Sequence, residues 1–503
     1  MITKKIDMEA DVVIIGFGGA GAAAAITAYD NGAEVIIIEK MSYPGGNTRL
    51  SGGNIAMPRR SQDISMYADY LKVVCYNNTE PEIVDAYVKG LVELPQWFKT
   101  MGIELVEIIL PAVSYTFNVP HPTHPGVPFA KDLDLVEMSC EPTESAPGLA
   151  GGGRLWDQFI KQVESRKIKV LLSTRANVLV KNRAGEVVGV VAESNGKNIL
   201  IRAKKGVIMA CGGFENNDAL KWDNLMPKPF TFVGNPGNTG DGIRMAIKAG
   251  AALWHMNLPV AVLGTKPDGF EAGFAIQFFA PGFIFVDKYG RRFASETDIE
   301  CHDYWRICNH FDNLDHYDYP RVPFYVIFDE EVRRAAPFIV TEGGYNTIVE
   351  GYEWSLDNSE EVKKGWIIKA KNIRDLAERL SMNPQTLENT VSNYNACCKD
   401  FYDSEFNRPK ESLKAIVGSP VYAIEVGPML INTQGGARRD KEARVLDPDG
   451  KPIPRLYSAG EFGSVWGFLY EAATNFAEAF IFGRIAGKNA ACAPSLSDDY
   501  DNQ

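Results

Sequence analysis

Asp11-Val-Val-Ile-Ile-Gly-Phe-Gly-Gly-Ala-Gly21 reads as a buried parallel strand running directly into a glycine-rich turn, and the alanine-rich run from Ala22 to Tyr29 continues it as a helix. A second apolar strand over 34–38 ends in Glu39, 18 residues after Gly21. The unit is βαβ with the spacing of a dinucleotide-binding fold. Glycines at 16, 18 and 21 allow a tight turn, close approach of backbone to a pyrophosphate, and packing of helix on strand. The helix N-terminus adds free N–H groups and partial positive charge. Glu39 is placed to accept hydrogen bonds from ribose hydroxyls. The pattern alone does not separate FAD from NAD. The next segment does: Pro44-Gly-Gly-Asn-Thr-Arg-Leu-Ser-Gly-Gly53 can lay backbone against a flat ring system and hydrogen-bond its heteroatoms, which favours FAD.

Further along, residues 81–102 carry helical spacing, and 115–130, with Pro120, Pro122, Pro125 and Pro128, reads as a structured loop. Its His121 and His124 have no partnering ligand cluster. Short β-rich runs at 170–172, 187–192, 198–201 and 207–210, with turns at Arg183-Ala-Gly185 and Asn195-Gly196, suggest an antiparallel meander feeding back into a parallel sheet. Thr239-Gly-Asp-Gly242 opens a helix over 243–249. Residues from about 256 to 425 are richer in aromatics, prolines and acidic clusters and lack this glycine punctuation. After Gly427 the dinucleotide texture returns, with Thr433-Gln-Gly-Gly436, the turn Asp447-Pro-Asp-Gly450, a strand over 456–459 ending in Gly460-Glu461, and a helix from about 475 to 490. The expected architecture is α/β. A Rossmann-like FAD-binding domain of glutathione-reductase type, with a parallel sheet and a β-meander, comes from residues 1–255 and 426–503. An inserted α+β capping and catalytic domain occupies 256–425.

Composition narrows the partners. The 503 residues, 45% hydrophobic and 23% charged with 46 Gly and 28 Pro, follow ordinary globular usage and exclude collagen-like, low-complexity and largely disordered chains. With 52 basic against 64 acidic residues the net charge is −12, so nucleic acid is not the expected partner. Eight cysteines lie scattered without CxxC pairs, as in a reduced intracellular protein. The spacings of 8 and 6 between His302, His310 and His316 suit no metal site. Acidic Asp7, Glu9 and Asp11 precede the first apolar run, and no stretch approaches about 18 apolar residues, so a cytoplasmic protein without an integral membrane segment is expected.

In order along the chain, Gly16–Gly21, Gly45–Gly53, Ala210-Cys-Gly-Gly-Phe214, Thr239–Gly242, Ile284-Phe-Val-Asp-Lys-Tyr-Gly-Arg-Arg-Phe293-Ala-Ser-Glu296, and Leu456–Glu461 through Phe482-Gly-Arg-Ile-Ala-Gly487 resemble the fumarate reductase/succinate dehydrogenase flavoprotein superfamily. Within it they are similar to the FAD-dependent 3-ketosteroid dehydrogenase branch. The resemblance implies that FAD is held by Gly16, Gly18, Gly19, Ala20, Gly21, Glu39, Lys40, Gly46, Asn47, Thr48, Ser51, Gly52, Gly53, Ala176, Ala210, Gly212, Gly213, Asp241, Gly460, Glu461, Asn475 and Phe476. Glu461 would hold the ribityl or ribose region, and the helix beginning near Thr474-Asn475 would point its positive end at the flavin N1–C2=O. Thr48 stands in the neighbourhood where covalently flavinylated members carry histidine, which implies non-covalent FAD. The implied reaction exchanges a hydride between flavin N5 and the β-carbon of a substrate, while a side chain exchanges a proton at the α-carbon. The implied substrate is a cyclic ketone, 3-ketosteroid-like or smaller. With no haem or iron–sulfur motif, electrons are expected to pass to or from an external carrier.

Departures from the family locate the catalytic candidates. Seven residues after Phe293, where fumarate reductases carry arginine and ketosteroid dehydrogenases tyrosine, stands Glu300. Asn432 takes the place of a substrate-binding histidine of fumarate reductases, and Tyr470 falls near their second arginine. By contrast, Tyr470-Glu-Ala-Ala-Thr474 resembles the loop whose tyrosine hydroxyl, with a backbone N–H, polarises the ketone of a ketosteroid. Ala472 and Ala473 are small enough for close backbone approach. Tyr470 is therefore the expected donor, and Glu300 fits the proton partner by register, with His302 and Tyr304 as neighbours on the same segment. Phe278, Phe279, Phe283, Phe285 and Trp466 suit either an apolar ring or a core. The alternative is an ene-reductase of unsaturated carboxylates, fumarate- or urocanate-like. It requires a cationic anchor from Arg291, Arg292, Arg306 or Arg321. A third possibility is an FAD-binding protein that has lost turnover.

Overall fold

Val12, Val13 and Ile14 are completely buried in the strand Met8–Ile15, which pairs in parallel with Val35–Ile38 on one side and with Lys197–Met209 on the other. The computed structural model describes residues 6–107, 133–140, 151–340 and 352–496; the proline-rich loop 115–130, with His121 and His124, lies outside them. The sheet runs Arg444–Leu446, Pro452–Ser458, Lys197–Met209, Met8–Ile15, Val35–Ile38, Lys169–Leu171, with every pair after the first parallel. Burial on both faces explains the unbroken Val/Ile runs. The helix Gly19–Asp30, whose alanines 22–25 are fully buried, packs along the last helix, Thr474–Cys492.

The meander is present, with different boundaries from those expected. The runs at 198–201 and 207–210 are two halves of the one strand Lys197–Met209. Its first half pairs antiparallel with Val187–Ser194, and its second half joins the parallel sheet. Lys204 and Lys205, polar in the middle of the strand, hid that continuity. A further strand, Thr174–Lys181, pairs with Val187–Ser194. Arg175 and Asn177 interrupt the apolar pattern at its start, which is why the strand was not anticipated.

A second sheet is organised around the long strand Val421–Thr433. Pro259–Thr265, Phe324–Asp329 and Ile367–Ala370 pair antiparallel with it, and Thr231–Phe232 pairs in parallel. Phe278, Phe283 and Phe285 are fully buried under this sheet, and Trp466 is buried in the first core, so these four build core rather than a ring pocket. Beneath the sheet Arg292 meets Glu296 at 2.7 Å and Asp403 at 2.7 Å, while Arg408 meets Glu296 at 3.0 Å and donates to Phe283 O at 2.7 Å. All four charged side chains are out of contact with solvent. Among the described residues, no helix is long and apolar enough to cross a membrane.

Candidate active site

The glycine turn forms a cradle of backbone N–H groups. A Cβ on Gly21 would sit 2.1 Å from the Gly16 carbonyl oxygen, so helix and strand can approach this closely only with glycine there. Thr48 closes the turn from outside: its Oγ1 accepts from Gly19 N at 3.0 Å. Glu39 is fixed at the end of its strand by Phe17 N at 2.9 Å and Met41 N at 2.8 Å. Beyond it, Lys40 Nζ donates to Thr239 Oγ1 at 2.7 Å and to Asp241 at 3.0 Å, and Arg175 reaches Asp241 at 2.6 Å. Burial alone would raise Asp241, but these two cations outweigh it and hold the carboxyl at about 2.

Glu461 lies at the junction of the two sheets beside a second carboxylate, Glu215, which the sequence had not marked. Asn47 Nδ2 donates to Glu215 at 3.0 Å and to Glu461 at 3.1 Å, Asn238 Nδ2 donates to Glu215 at 2.8 Å, and Thr433 N donates to Glu461 at 3.1 Å. Burial, and for Glu461 the neighbouring charge of Glu215 as well, raises both above the ordinary carboxylate range. Gly213 makes the approach possible, since a Cβ there would lie 2.3 Å from Glu215 Oε2 and 2.4 Å from Glu461 Oε1.

These groups open onto one cavity of about 590 Å³. All the expected cofactor positions except Gly21 and Gly213 line it, and those two act one layer behind. At the far end stand Tyr470, Ala473, His302 and Tyr304, together with Cys301 and Phe279. Glu300 is not among them. Its carboxylate is turned back onto the next residues of its own segment, accepting from His302 N at 2.8 Å and facing His302 Nδ1 at 2.8 Å. The imidazole, not the carboxylate, is therefore presented to the cavity. Burial would lower His302, but the adjacent Glu300 outweighs it and the imidazole is raised above its ordinary value. The His302 and Tyr470 rings meet edge-on, with centroids 5.0 Å apart and an interplanar angle of 89°. Glu471, next in the chain, is buried, accepts the Tyr70 hydroxyl proton, and is pushed up to about 7 by that burial.

Among the described residues the cavity's cationic side chains are Lys40 and Arg175, both spent on Asp241, and His302. None of the four candidate anchors for a substrate carboxylate lines it. Arg292 is locked in the buried network, Arg306 bonds Asp303 and Phe468 O, and Arg321 bonds Ile307 O.

The residues present fit a flavin dinucleotide. The helix Thr474–Cys492 begins at the cavity wall, and its cap, Ala473, holds a left-handed φ of 65°. In its first turn the buried amide nitrogen of Asn475 has no hydrogen-bond partner among the described residues, although the residue lines the cavity. A buried donor left unpaired calls for an acceptor from a bound molecule. A family model described as an FAD binding domain matches residues 11–476. The chain belongs to this family, and its cofactor is FAD.

Relatives of this flavoprotein span several substrates. It is 28% identical to the NADH:acrylate oxidoreductase of Vibrio harveyi over 97% of this chain and 51% of that one. It is 27% identical to the 3-oxosteroid 1-dehydrogenase of Mycobacterium tuberculosis over 92% and 94%. The 3-ketosteroid delta1-dehydrogenase of Sterolibacterium denitrificans, solved with 1,4-androstadiene-3,17-dione, superposes with a TM-score of 0.79 at 22% identity, over 96% of this chain and 99% of that one. The flavoprotein spans about half the length of the first two curated relatives it matches.

Glu39→Ala removes a charged acceptor fixed at the cavity wall, and loss of one charge-assisted hydrogen bond is expected to weaken FAD binding about tenfold or more. Titration of the apoprotein with FAD measures it; an unchanged dissociation constant would reject Glu39 as a cofactor ligand.

Proposed function

We propose that this flavoprotein interconverts a cyclic ketone, 3-ketosteroid-like or smaller, and its α,β-unsaturated form. FAD, bound non-covalently, supplies hydride exchange at the β-carbon. The chain's own residues supply the carbonyl clamp and the proton. Tyr470 donates its hydroxyl to the ketone oxygen, and a backbone N–H of the Ala472–Ala473 segment is the second donor. Two preorganised donors of this kind each contribute about 3 kcal/mol to the developing enolate. His302 carries the proton at the α-carbon. Its Nδ1 faces Glu300 at 2.8 Å, which fixes the orientation of the ring, and the proton exchanges at Nε2. Glu300 is thus a positioning residue.

The observation that carries this reading is the edge-on pairing of Tyr470 with His302 in a cavity whose described residues offer a carboxylate no unspent arginine or lysine. A dicarboxylate would instead meet Glu137, with Glu300 and Glu471 close behind. The test is a dye-coupled assay of the FAD-loaded protein with cyclohexanone, cyclohexenone and 4-androstene-3,17-dione against fumarate and urocanate. Flavin turnover with a ring ketone supports the reading; turnover with the carboxylates alone rejects it. Tyr470→Phe is expected to lower kcat by roughly tenfold to a thousandfold while FAD stays bound. An unaltered rate would remove Tyr470 from the chemistry.

A further inference from the structure

Among the described residues lining the cavity, Glu137 is the one carboxylate that neither the cofactor positions nor the Tyr470–His302 pair employs. It lies on the strand Leu135–Cys140, which pairs with Ile55–Pro58 so that Ala56 stands opposite Glu137. That pairing brings it beside Asn54, at the end of the Gly52–Gly53 segment, and both side chains line the cavity. Asn54 Nδ2 donates to Glu137 Oε2 at 2.9 Å. Oε1 has no hydrogen-bond partner among the described residues and is not sealed from the cavity. Glu137 and His302 line the same cavity, and the charge of His302 acts on Glu137 while that of Glu137 acts on Glu471. Burial raises it above the ordinary carboxylate range, against the opposing pull of Asn54.

A half-buried carboxylate with one oxygen satisfied and one turned into a ligand cavity has a single chemical preference. In its ionised form it only accepts hydrogen bonds, so it favours a donor and rejects another acceptor. Among the described residues, no lysine or arginine of the cavity wall bonds it, and none of them supplies that donor. We propose that Glu137 selects ring ketones that carry a hydrogen-bond donor, a hydroxyl or a protonated amine, at a position away from the carbonyl. This rests on the ring-ketone reading above and deepens it: Tyr470 and His302 handle the reacting end, and Glu137 reads the remainder of the ring.

The experiment compares a cyclohexenone with its hydroxyl- and aminomethyl-substituted analogues on FAD-loaded wild type, Glu137→Gln and Glu137→Met, scoring kcat/KM by dye reduction and binding by perturbation of the flavin absorbance. A hydrogen bond to a charged group is worth about tenfold to a hundredfold, so wild type is expected to favour the donor-bearing ketones by that factor, mainly through KM. Glu137→Met is expected to collapse the ratio to about one. Glu137→Gln keeps the shape, the contact with Asn54 and an accepting oxygen but removes the charge, so preference for the hydroxyl ketone is expected to persist and preference for the protonated amine to fall. A wild-type ratio near one, or a ratio that survives in Glu137→Met while the ring ketones still bind and turn over, overturns the inference and leaves the ring-ketone reading standing. Failure of every ring ketone to bind or react overturns both.

Discussion

A His302→Gln protein is expected to take up FAD normally and to turn over about a hundredfold to ten-thousandfold more slowly than wild type, the range for losing a positioned general acid or base. The imidazole lines the cavity, the carboxylate two residues before it does not, and the 2.8 Å contact at Nδ1 gives the ring one orientation. Glutamine keeps the size and a polar tip but cannot cycle a proton near neutral pH. A pH profile separates this from a structural defect. Burial pulls the His302 value down and Glu300 pulls it up more strongly, so the ring stays protonated to higher pH than a free histidine. The rate of the proton-donating direction should therefore hold at low pH and fall as pH rises through that elevated value. Glu300→Gln removes the raising charge, so the falling limb should move to lower pH with a smaller loss of maximal rate. If His302→Gln retains full turnover, or the limb stays in place in Glu300→Gln, His302 is not the proton carrier.

The second large effect concerns stability. Glu296→Ala takes the shared carboxylate from between Arg292 and Arg408, both fully enclosed beneath the second sheet. Burial opposes the charge of Arg292, yet its bonds to Glu296 and then Asp403 hold it firmly protonated. Two guanidiniums would lose their common partner with no route to water, and breaking a buried pair from one side costs about 3–5 kcal/mol. Urea unfolding should show a midpoint far below that of wild type. Glu360→Ala, which breaks an exposed pair with Lys363, is the control and should leave the midpoint in place. Equal midpoints for the two variants would contradict the account.

What the sequence revealed was what neighbours in the chain determine. The strand, turn, helix and acid from Asp11 to Glu39 are consecutive, and of them the turn Gly16–Ala20 and Glu39 line the cavity. The Tyr470 loop was legible for the same reason. The orientation of Glu300 was not: register put it at the right position on the segment, but only packing shows its carboxylate bent onto His302. Glu215 and Glu137 carried no signal, because the partners that give them meaning, Glu461 and Asn54, lie 246 and 83 residues away. Phe278, Phe283 and Phe285 suited a ring pocket although such residues more often build core, and they are core: Phe283 and Phe285 through the pairing of Phe283–Val286 with Phe324–Asp329, and Phe278 by stacking on Phe283.

The parallel sheet joins the start of the chain to its end: Met8–Ile15 and Pro452–Ser458 flank the same strand, and the helix Gly19–Asp30 has its long partner only in Thr474–Cys492. During synthesis, a chain that has not yet reached Glu461 has made the glycine turn but lacks that carboxylate, Tyr470 and the helix start at Asn475. Such a nascent chain cannot close the cavity, so tight capture of FAD waits until the helix Thr474–Cys492 has been made. Until then the alanine face of the first helix is exposed to water and to whatever chaperone the cell offers it.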